Sequence, residues 1–266
     1  MEEIKNYAEK SDFRDVKTLW DECFPQFGNY VDFFMEHIYK AECARLMRID
    51  GALAGMIHVF PRTFSSNGEH FSAKYIFGVG TSKKFRGKGV AGKLLEREAC
   101  DCDFLTLIPQ DKGLFEFYKK KGFLVITRIC EETITEGKKK EVRLAKDVDI
   151  PYLNEIYENM CKEIPFAKRS ADDWKTLLAE YEFLGGGFFI FDRGYLAYAP
   201  SEKTVYVDEF ASEYISPCDV CGIFEKPCKV RSVGNDTDIA VIKPISERGK
   251  TLFEKENGCY INLMHN

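Results

Sequence analysis

"KFRGKGVAG", residues 84–92, decides how this chain is read. Gly87, Gly89 and Gly92 are spaced as GxGxxG, while Arg86, Gly89 and Ala91 are spaced as RxxGxA. Both patterns place a glycine-bearing turn at the start of a helix, where free backbone N–H groups meet a pyrophosphate. They belong to different folds, so the flanking sequence separates them.

Upstream, residues 4–8 suggest a first strand. Asp12 is placed to cap a helix whose Phe13, Val16, Leu19 and Trp20 share one face. A second helix is expected over residues 30–39. Then the period changes. "ARLMRID", "GALAGMIHVF" and "HFSAKYIFGVG" read as three strands, separated by Asp50-Gly51 and by "SSNGE". Both separators carry turn chemistry, which predicts an antiparallel meander. Downstream come a helix over 90–100, the short buried strand "FLTLI", a helix over 113–121 and the strand "FLVITRI". This is an α+β order rather than alternating βαβ units.

A dinucleotide fingerprint needs a parallel strand ending at the first glycine and an acidic residue about 20 positions on. Here the strand ends near Gly80 or Thr81, before the first glycine. Asp111 has the right distance but lies beyond Pro109, past the next strand. The loop is also strongly cationic, with Lys83, Lys84, Arg86, Lys88 and Lys93. That charge suits a pyrophosphate with an additional phosphate, as in coenzyme A, better than a dinucleotide. Gly87 and Gly89 would let the backbone approach phosphate oxygens closely.

"VGTSKKFRGKGVAGKLL" (residues 79–95) and "FYKKKGF" (117–123) together resemble the GCN5-related N-acetyltransferase (GNAT) family. The likeness covers about residues 1–130 by motif and the remainder by element order. "LIPQ" ahead of "FYKKKGF", with a second half lacking the loop, is similar to the tandem acetyltransferases of the Eis group. That group's third, sterol-carrier-like domain is not expected in a chain of this length, which leaves the substrate open.

The resemblance implies a set of roles. Val79, Gly80 and Thr81 would hold the pantetheine arm. Arg86, Gly87, Lys88, Gly89, Val90, Ala91 and Gly92 would wrap the pyrophosphate. Leu114 would flank the thiol. Tyr118, four residues before Gly122, takes the position of the family's acid. "KYIFGVG" has no glutamate to act as base. His58 is a weak candidate for that task, and the terminal carboxylate of Asn266 is the Eis-type one; water is a third. The cosubstrate is acetyl-CoA and no metal is expected. The acceptor is an amine on a small molecule or peptide. Transfer of another acyl group, or acyl-CoA binding without catalysis, are the alternatives.

The second half repeats the first at an offset of 137: Ala8 with Ala145, Asp12 with Asp149, Leu19 with Ile156, Trp20 with Tyr157. Two helices and a meander come again, which is a fold-level signal. The expected architecture is therefore two GNAT-like domains, 1–136 and 137–266. Each is a mixed, largely antiparallel sheet flanked by helices, and the second is degenerate.

The remaining features set bounds. The chain has 266 residues, 45% hydrophobic and 30% charged, with a net charge of -5. That balance supports a folded core and disfavours non-specific nucleic-acid binding. No apolar run approaches ~18 residues, so no membrane segment is expected. The charged start carries no secretory pattern, so the expected setting is the cytoplasm, with the ten cysteines as thiols. Cys218, Cys221 and Cys228, with Cys259, have partial zinc spacing but lack a second CxxC, and free thiols are the simpler reading. Asp208, Glu209 and Glu213 read as a solvated acidic face, or as an attractor for a cationic amine. "GGGFFIFDRGYLAYAP" reads as sheet core. Sheet edges would permit a homodimer, but no segment decides it.

Overall fold

The computed structural model describes residues 1–255 and 258–263. Along the first half run β1 (Glu2–Lys5), α1 (Phe13–Cys23), α2 (Tyr30–Phe33), β2 (Ala44–Ile49), β3 (Ala52–Ser66), β4 (Glu69–Thr81), α3 (Val90–Glu98), β5 (Phe104–Leu107) and α4 (Lys112–Lys119). Then come β6 (Leu124–Ile134), β7 (Arg143–Leu144), α5 (Ile150–Cys161), β8 (Phe166–Ala167) and α6 (Ala171–Phe183). The last elements are β9 (Gly187–Phe191), β10 (Gly194–Pro200), β11 (Val205–Ser212), β12 (Cys228–Val233), β13 (Thr237–Pro244) and α7 (Glu247–Lys255). No helix among the described residues is long and apolar enough to cross a membrane.

The chain divides into two compact units. One comprises Met1–Thr63, Phe71–Leu124 and Val241–Glu254; the other comprises Phe64–His70, Val125–Ala240 and Lys255–Asn266. Both are α+β, with helices packed on a mixed sheet.

In the first unit, strands β1 to β5 lie side by side in chain order. Both predicted turns form. Asp50 and Gly51 have φ of 50° and 82°, and Asn67 and Gly68 have 48° and 78°. Two successive positive φ values make the type I′ turn that matches strand twist. β4 then pairs in parallel with β5, which needs a crossover, and α3 supplies it. The far side of β5 is taken by Val241 to Pro244 of β13, antiparallel. Sequence pattern gave no sign of that strand.

The helix expected over 30–39 is α2, continued as a π-helical turn, Phe34–Ile38. Asp12 does not cap α1 with its side chain. It is buried, and Oδ2 accepts from the Glu9 amide at 2.9 Å while Oδ1 accepts from Arg48 Nη2 at 2.7 Å. Burial pushes its pKa up, but the Glu9 amide and Arg48 outweigh burial and hold the carboxyl low.

The second unit reuses this geometry. Asp149 accepts from the Lys146 amide at 2.9 Å and pairs with Arg143 at 2.7 Å. Asp12 and Glu9 show the same pattern 137 residues earlier. β9, β10 and β11 form an antiparallel meander, and β11 pairs in parallel with β12. The aromatic stretch before β11 is core, as expected: Phe188, Ile190, Phe191, Tyr195 and Leu196 are all buried.

Of the acidic segment, Glu213 lies on a solvated face, whereas Glu209 on β11 is buried. Glu209 is 0% exposed and meets Arg169 in a two-point pair, 2.7 Å at each oxygen. Tyr195 and Tyr260 donate to the same carboxylate at 2.6 and 2.9 Å. The Arg169 guanidinium lies over the rings of Tyr157 and Trp174, 3.9 and 4.8 Å from their centroids. Asp208 accepts from Tyr181, and burial pushes its pKa up. Glu213 pairs with Lys162.

Removing one partner of a buried ion pair strands the other charge, typically at about 3–5 kcal/mol. Glu209→Ala is therefore expected to lower the free energy of urea unfolding by about that amount, and more than Arg169→Met/Glu209→Met together does. Equal losses would show that the pair is not what holds this core.

Candidate acyl-transfer site

The site begins where β4 outruns β5. Their ladder joins Ala73 to Phe104, Lys74 to Leu105 and Tyr75 to Thr106, and β5 ends at Leu107. Residues 78–81 of β4 therefore extend past the end of the neighbouring strand. Gly78 has φ of +58°, a kink open only to glycine at low cost. A Cβ there would stand 2.5 Å from Trp20 and 3.2 Å from His58 Nδ1.

The glycine loop comes directly after this strand. Lys83–Phe85 forms a 3-10 turn, and Gly87 and Gly89 sit at φ +78° and +74° with open space where a Cβ would be. Gly89 is the left-handed residue on which α3 starts. The amides of Gly87, Gly89, Val90, Ala91 and Gly92 donate to no acceptor among the described residues. Unpartnered amides and the helix dipole make a seat for a phosphate.

Two residues that the sequence did not single out shape this seat. Gly55 on β3 lets α3 come close: a Cβ would meet Val90 Cγ1 at 2.4 Å and the Gly80 carbonyl at 3.0 Å. Lys121, just after α4, carries its ammonium over Gly92, 2.6 Å from where a Cβ would sit, and 3.4 Å from Glu96 Oε1. A glycine on the first turn of a helix facing a lysine is the available signal for the second.

The loop's own cations are dispersed. Arg86 Nε donates to the Thr81 carbonyl at 3.3 Å, tying the loop to the strand end. Lys84 and Lys88 lie over the Phe85 ring at 5.3 and 5.2 Å. Lys93 points away, pairing with Glu2 at 2.7 Å.

Residues 4–126 match the family model described as an acetyltransferase (GNAT) domain. This stretch is a GNAT domain. Its chemistry class is acyl transfer. The fold of the whole chain is similar to solved structures of that kind. A GCN5-related N-acetyltransferase from Kribbella flavida superposes with a TM-score of 0.69 at 12% identity, covering 94% of this chain and 73% of that one. One from Anabaena variabilis gives 0.69 at 13%, covering 92% and 73%. Eis1 from Mycobacterium abscessus gives 0.66 at 12%, covering 92% and 74%. No curated protein matches the sequence.

In the GNAT domain, α4 presents Leu114 and Tyr118 one turn apart. Asp111 caps that helix, accepting from the amides of Gly113 and Leu114 at 2.8 and 3.1 Å. This is the acidic residue that has the dinucleotide spacing but lies beyond Pro109. Tyr118 is 4% exposed, its ring edge-on to Phe117 and Phe123. Its hydroxyl has no hydrogen-bond partner among the described residues, and none joins it to β4 or the loop. Burial pushes its pKa well up, so the phenol keeps its proton at neutral pH.

His58 is fully buried against Trp20, Phe34 and Tyr39. Burial lowers its pKa to about 3, against a smaller raising effect of the Phe77 backbone. An imidazole that refuses a proton until that pH is no base for an ammonium. Among the described residues neither of its nitrogens, nor Trp20 Nε1, has a partner in full hydrogen-bond geometry. Such buried orphans cost about 1–3 kcal/mol each. Asn266 lies outside the described residues. Among the described residues no three His, Cys, Asp or Glu side chains gather as a metal site, and all ten cysteines are free.

The buried imidazole predicts a pH effect. Its folded pKa of about 3 lies below the ordinary 6.5. Between those values the unfolded chain binds a proton that the folded chain does not. Stability is therefore whole above about pH 6.5 and falls by about 1.4 kcal/mol per unit below it, until about pH 3. Between pH 7 and 5, wild type should lose about 2 kcal/mol more than His58→Phe in urea unfolding. Parallel losses would place the imidazole in contact with water.

Proposed function

We propose that the GNAT domain moves an acetyl group from acetyl-CoA to a primary amine of a small molecule or peptide, by direct transfer. One observation carries this: five amides without a partner among the described residues, at Gly87 and residues 89–92, gathered on a glycine turn at the end of an overrunning strand. In this proposal Arg86, Gly87, Lys88, Gly89, Val90, Ala91 and Gly92 take the pyrophosphate, with Lys121 adding charge. Val79, Gly80 and Thr81 offer backbone groups to the pantetheine, and Leu114 flanks it. Acetyl-CoA supplies the activated acyl thioester. Tyr118, held protonated by burial, donates its proton to the departing sulfur. The backbone near Gly78 supplies donors to the developing negative charge, an arrangement often worth about 3–4 kcal/mol.

The chain is proposed to comprise two GNAT-like domains, 1–136 and 137–266, with the chemistry in the first. The second has no basic glycine loop after β11. It has "EYISPCDVCGIFEKPCK" there, which forms two 3-10 turns, Pro217–Asp219 and Cys221–Phe224.

Thermal melting with acetyl-CoA, CoA and NADH tests the ligand. At 100 times Kd a ligand adds about 2.7 kcal/mol, raising the midpoint by a few degrees. A shift with the first two, and not with NADH, is expected; a shift with NADH alone would overturn the proposal. Tyr118→Phe is expected to lower kcat by 10²-fold or more while acetyl-CoA affinity stays within about twofold. Full activity in that variant would remove Tyr118 from the mechanism. Binding without turnover across a broad amine panel would mark a non-catalytic acyl-CoA module.

A further inference from the structure

The last turn of α1 meets the end of β4 and the start of the glycine loop at successive points. Trp20 lies where Gly78 lacks a Cβ, 2.5 Å from the position that atom would take. Cys23 Sγ stands 3.3 Å from the corresponding position at Gly80, and its thiol donates to the Thr81 carbonyl at 3.5 Å. Glu22 Oε1 accepts from the Lys83 amide at 2.6 Å. One helical turn thus touches positions 78, 80, 81 and 83, from the strand into the loop.

The Glu22 bond has a specific local task. Lys83–Phe85 is the 3-10 turn that opens the loop, and Ser82 at its N-cap makes no side-chain cap. The first amide of such a turn has no partner within it. Glu22 supplies one from 61 residues away. Phe85 closes the turn and is buried, and the Lys88 amide reaches back to its carbonyl at 3.4 Å. The capped turn is therefore the footing on which Gly87 and Gly89 stand. By charge alone a carboxylate is badly placed four residues before a phosphate seat, since like charges repel. Its oxygen is useful there as an acceptor, and a neutral side-chain amide offers the same acceptor.

We propose that Glu22 is a positioning residue for the phosphate seat. Its carboxylate caps the Lys83–Phe85 turn from α1, and so fixes the direction of the amides at Gly87 and residues 89–92 without touching the ligand. This rests on the acetyl-transfer proposal for the same site. Cys23 and Arg86, both donating to the Thr81 carbonyl, hold the strand side of the same junction. What Glu22 contributes is the hydrogen bond and not the negative charge.

The test measures acetyl-CoA affinity by calorimetry on the whole chain. Glu22→Ala is expected to weaken binding about tenfold. Glu22→Gln, which keeps the acceptor and loses the charge, is expected to bind as tightly as wild type or more tightly. Lys83→Pro deletes the capped amide and keeps the turn: Ser82 has φ −55° and ψ 139°, as suits a residue before proline, and proline fits the first position of a turn. In that background Glu22→Ala should change affinity by less than about twofold. Unchanged binding in Glu22→Ala, or equal losses in Glu22→Ala and Glu22→Gln, would overturn the proposal. So would a further tenfold loss on the Lys83→Pro background. Amide hydrogen exchange without ligand reads the cap separately: Lys83 and Phe85 should exchange at least about tenfold faster in Glu22→Ala than in wild type or Glu22→Gln. If wild type binds neither acetyl-CoA nor CoA, the acetyl-transfer proposal falls, while that exchange still decides whether Glu22 caps the turn.

Discussion

The first unit depends on where one parallel ladder stops. β4 and β5 separate after Tyr75 and Thr106, and the ligand seat is built on the length of β4 left over. A strand without a neighbour exposes its amides and carbonyls, which water or a ligand must satisfy. It also needs support on its faces. On one face Trp20 and His58 press against Gly78; on the other, Gly55 admits Val90 and the start of α3 to the Gly80 carbonyl. Two glycines thus let helices close in from both sides without filling the gap that β5 leaves.

The second unit poses the same problem and solves it differently. β11 and β12 pair from Val205 and Cys228 to Val207 and Val230, again three residues. The next residue on β11 is Asp208, and its carbonyl is already occupied: Asn262 Nδ2 donates to it at 2.6 Å. Arg169 Nη2 in turn donates to the Asn262 carbonyl at 3.0 Å. The chain's own late segment satisfies the backbone that the first unit leaves open. The Glu209 pair fixes that segment through Tyr260. A ligand loop after β11 would have nothing to serve, which gives a physical reason for its absence there.

Local chemistry was legible in the sequence, and long-range pairing was not. Asp50-Gly51 and Asn67-Gly68 announced their turns because positive φ at two positions restricts residue choice. The glycine loop announced itself for the same reason. The repeat was visible through Asp12 and Asp149, although each carboxylate serves the turn before its helix and an arginine, rather than the helix itself. β13 was missed because a strand of Ile, Ala and Val fits many neighbours; its pairing with β5 is fixed by tertiary contact alone. Glu209 was misread because a carboxylate on a strand looks solvated until its arginine, 40 residues away, is placed beside it. Gly55 and Lys121 have meaning only once α3 is in position.

The cationic loop also changes character in three dimensions. By sequence its five basic residues read as one field for phosphates. In the structure Lys93 is paired with Glu2, and Arg86 is turned onto the Thr81 carbonyl. The fixed part of the seat is its set of amides, held by positive-φ glycines before any ligand arrives. Fixed dipoles need no reordering on binding, so they lose less entropy than long lysines would. Lys84 and Lys88 lie over Phe85 and are exposed. The loop therefore combines backbone amides that set geometry with exposed lysines that add charge. Arg86, through its bond to the Thr81 carbonyl, joins the turn to the end of the strand on which the site is built.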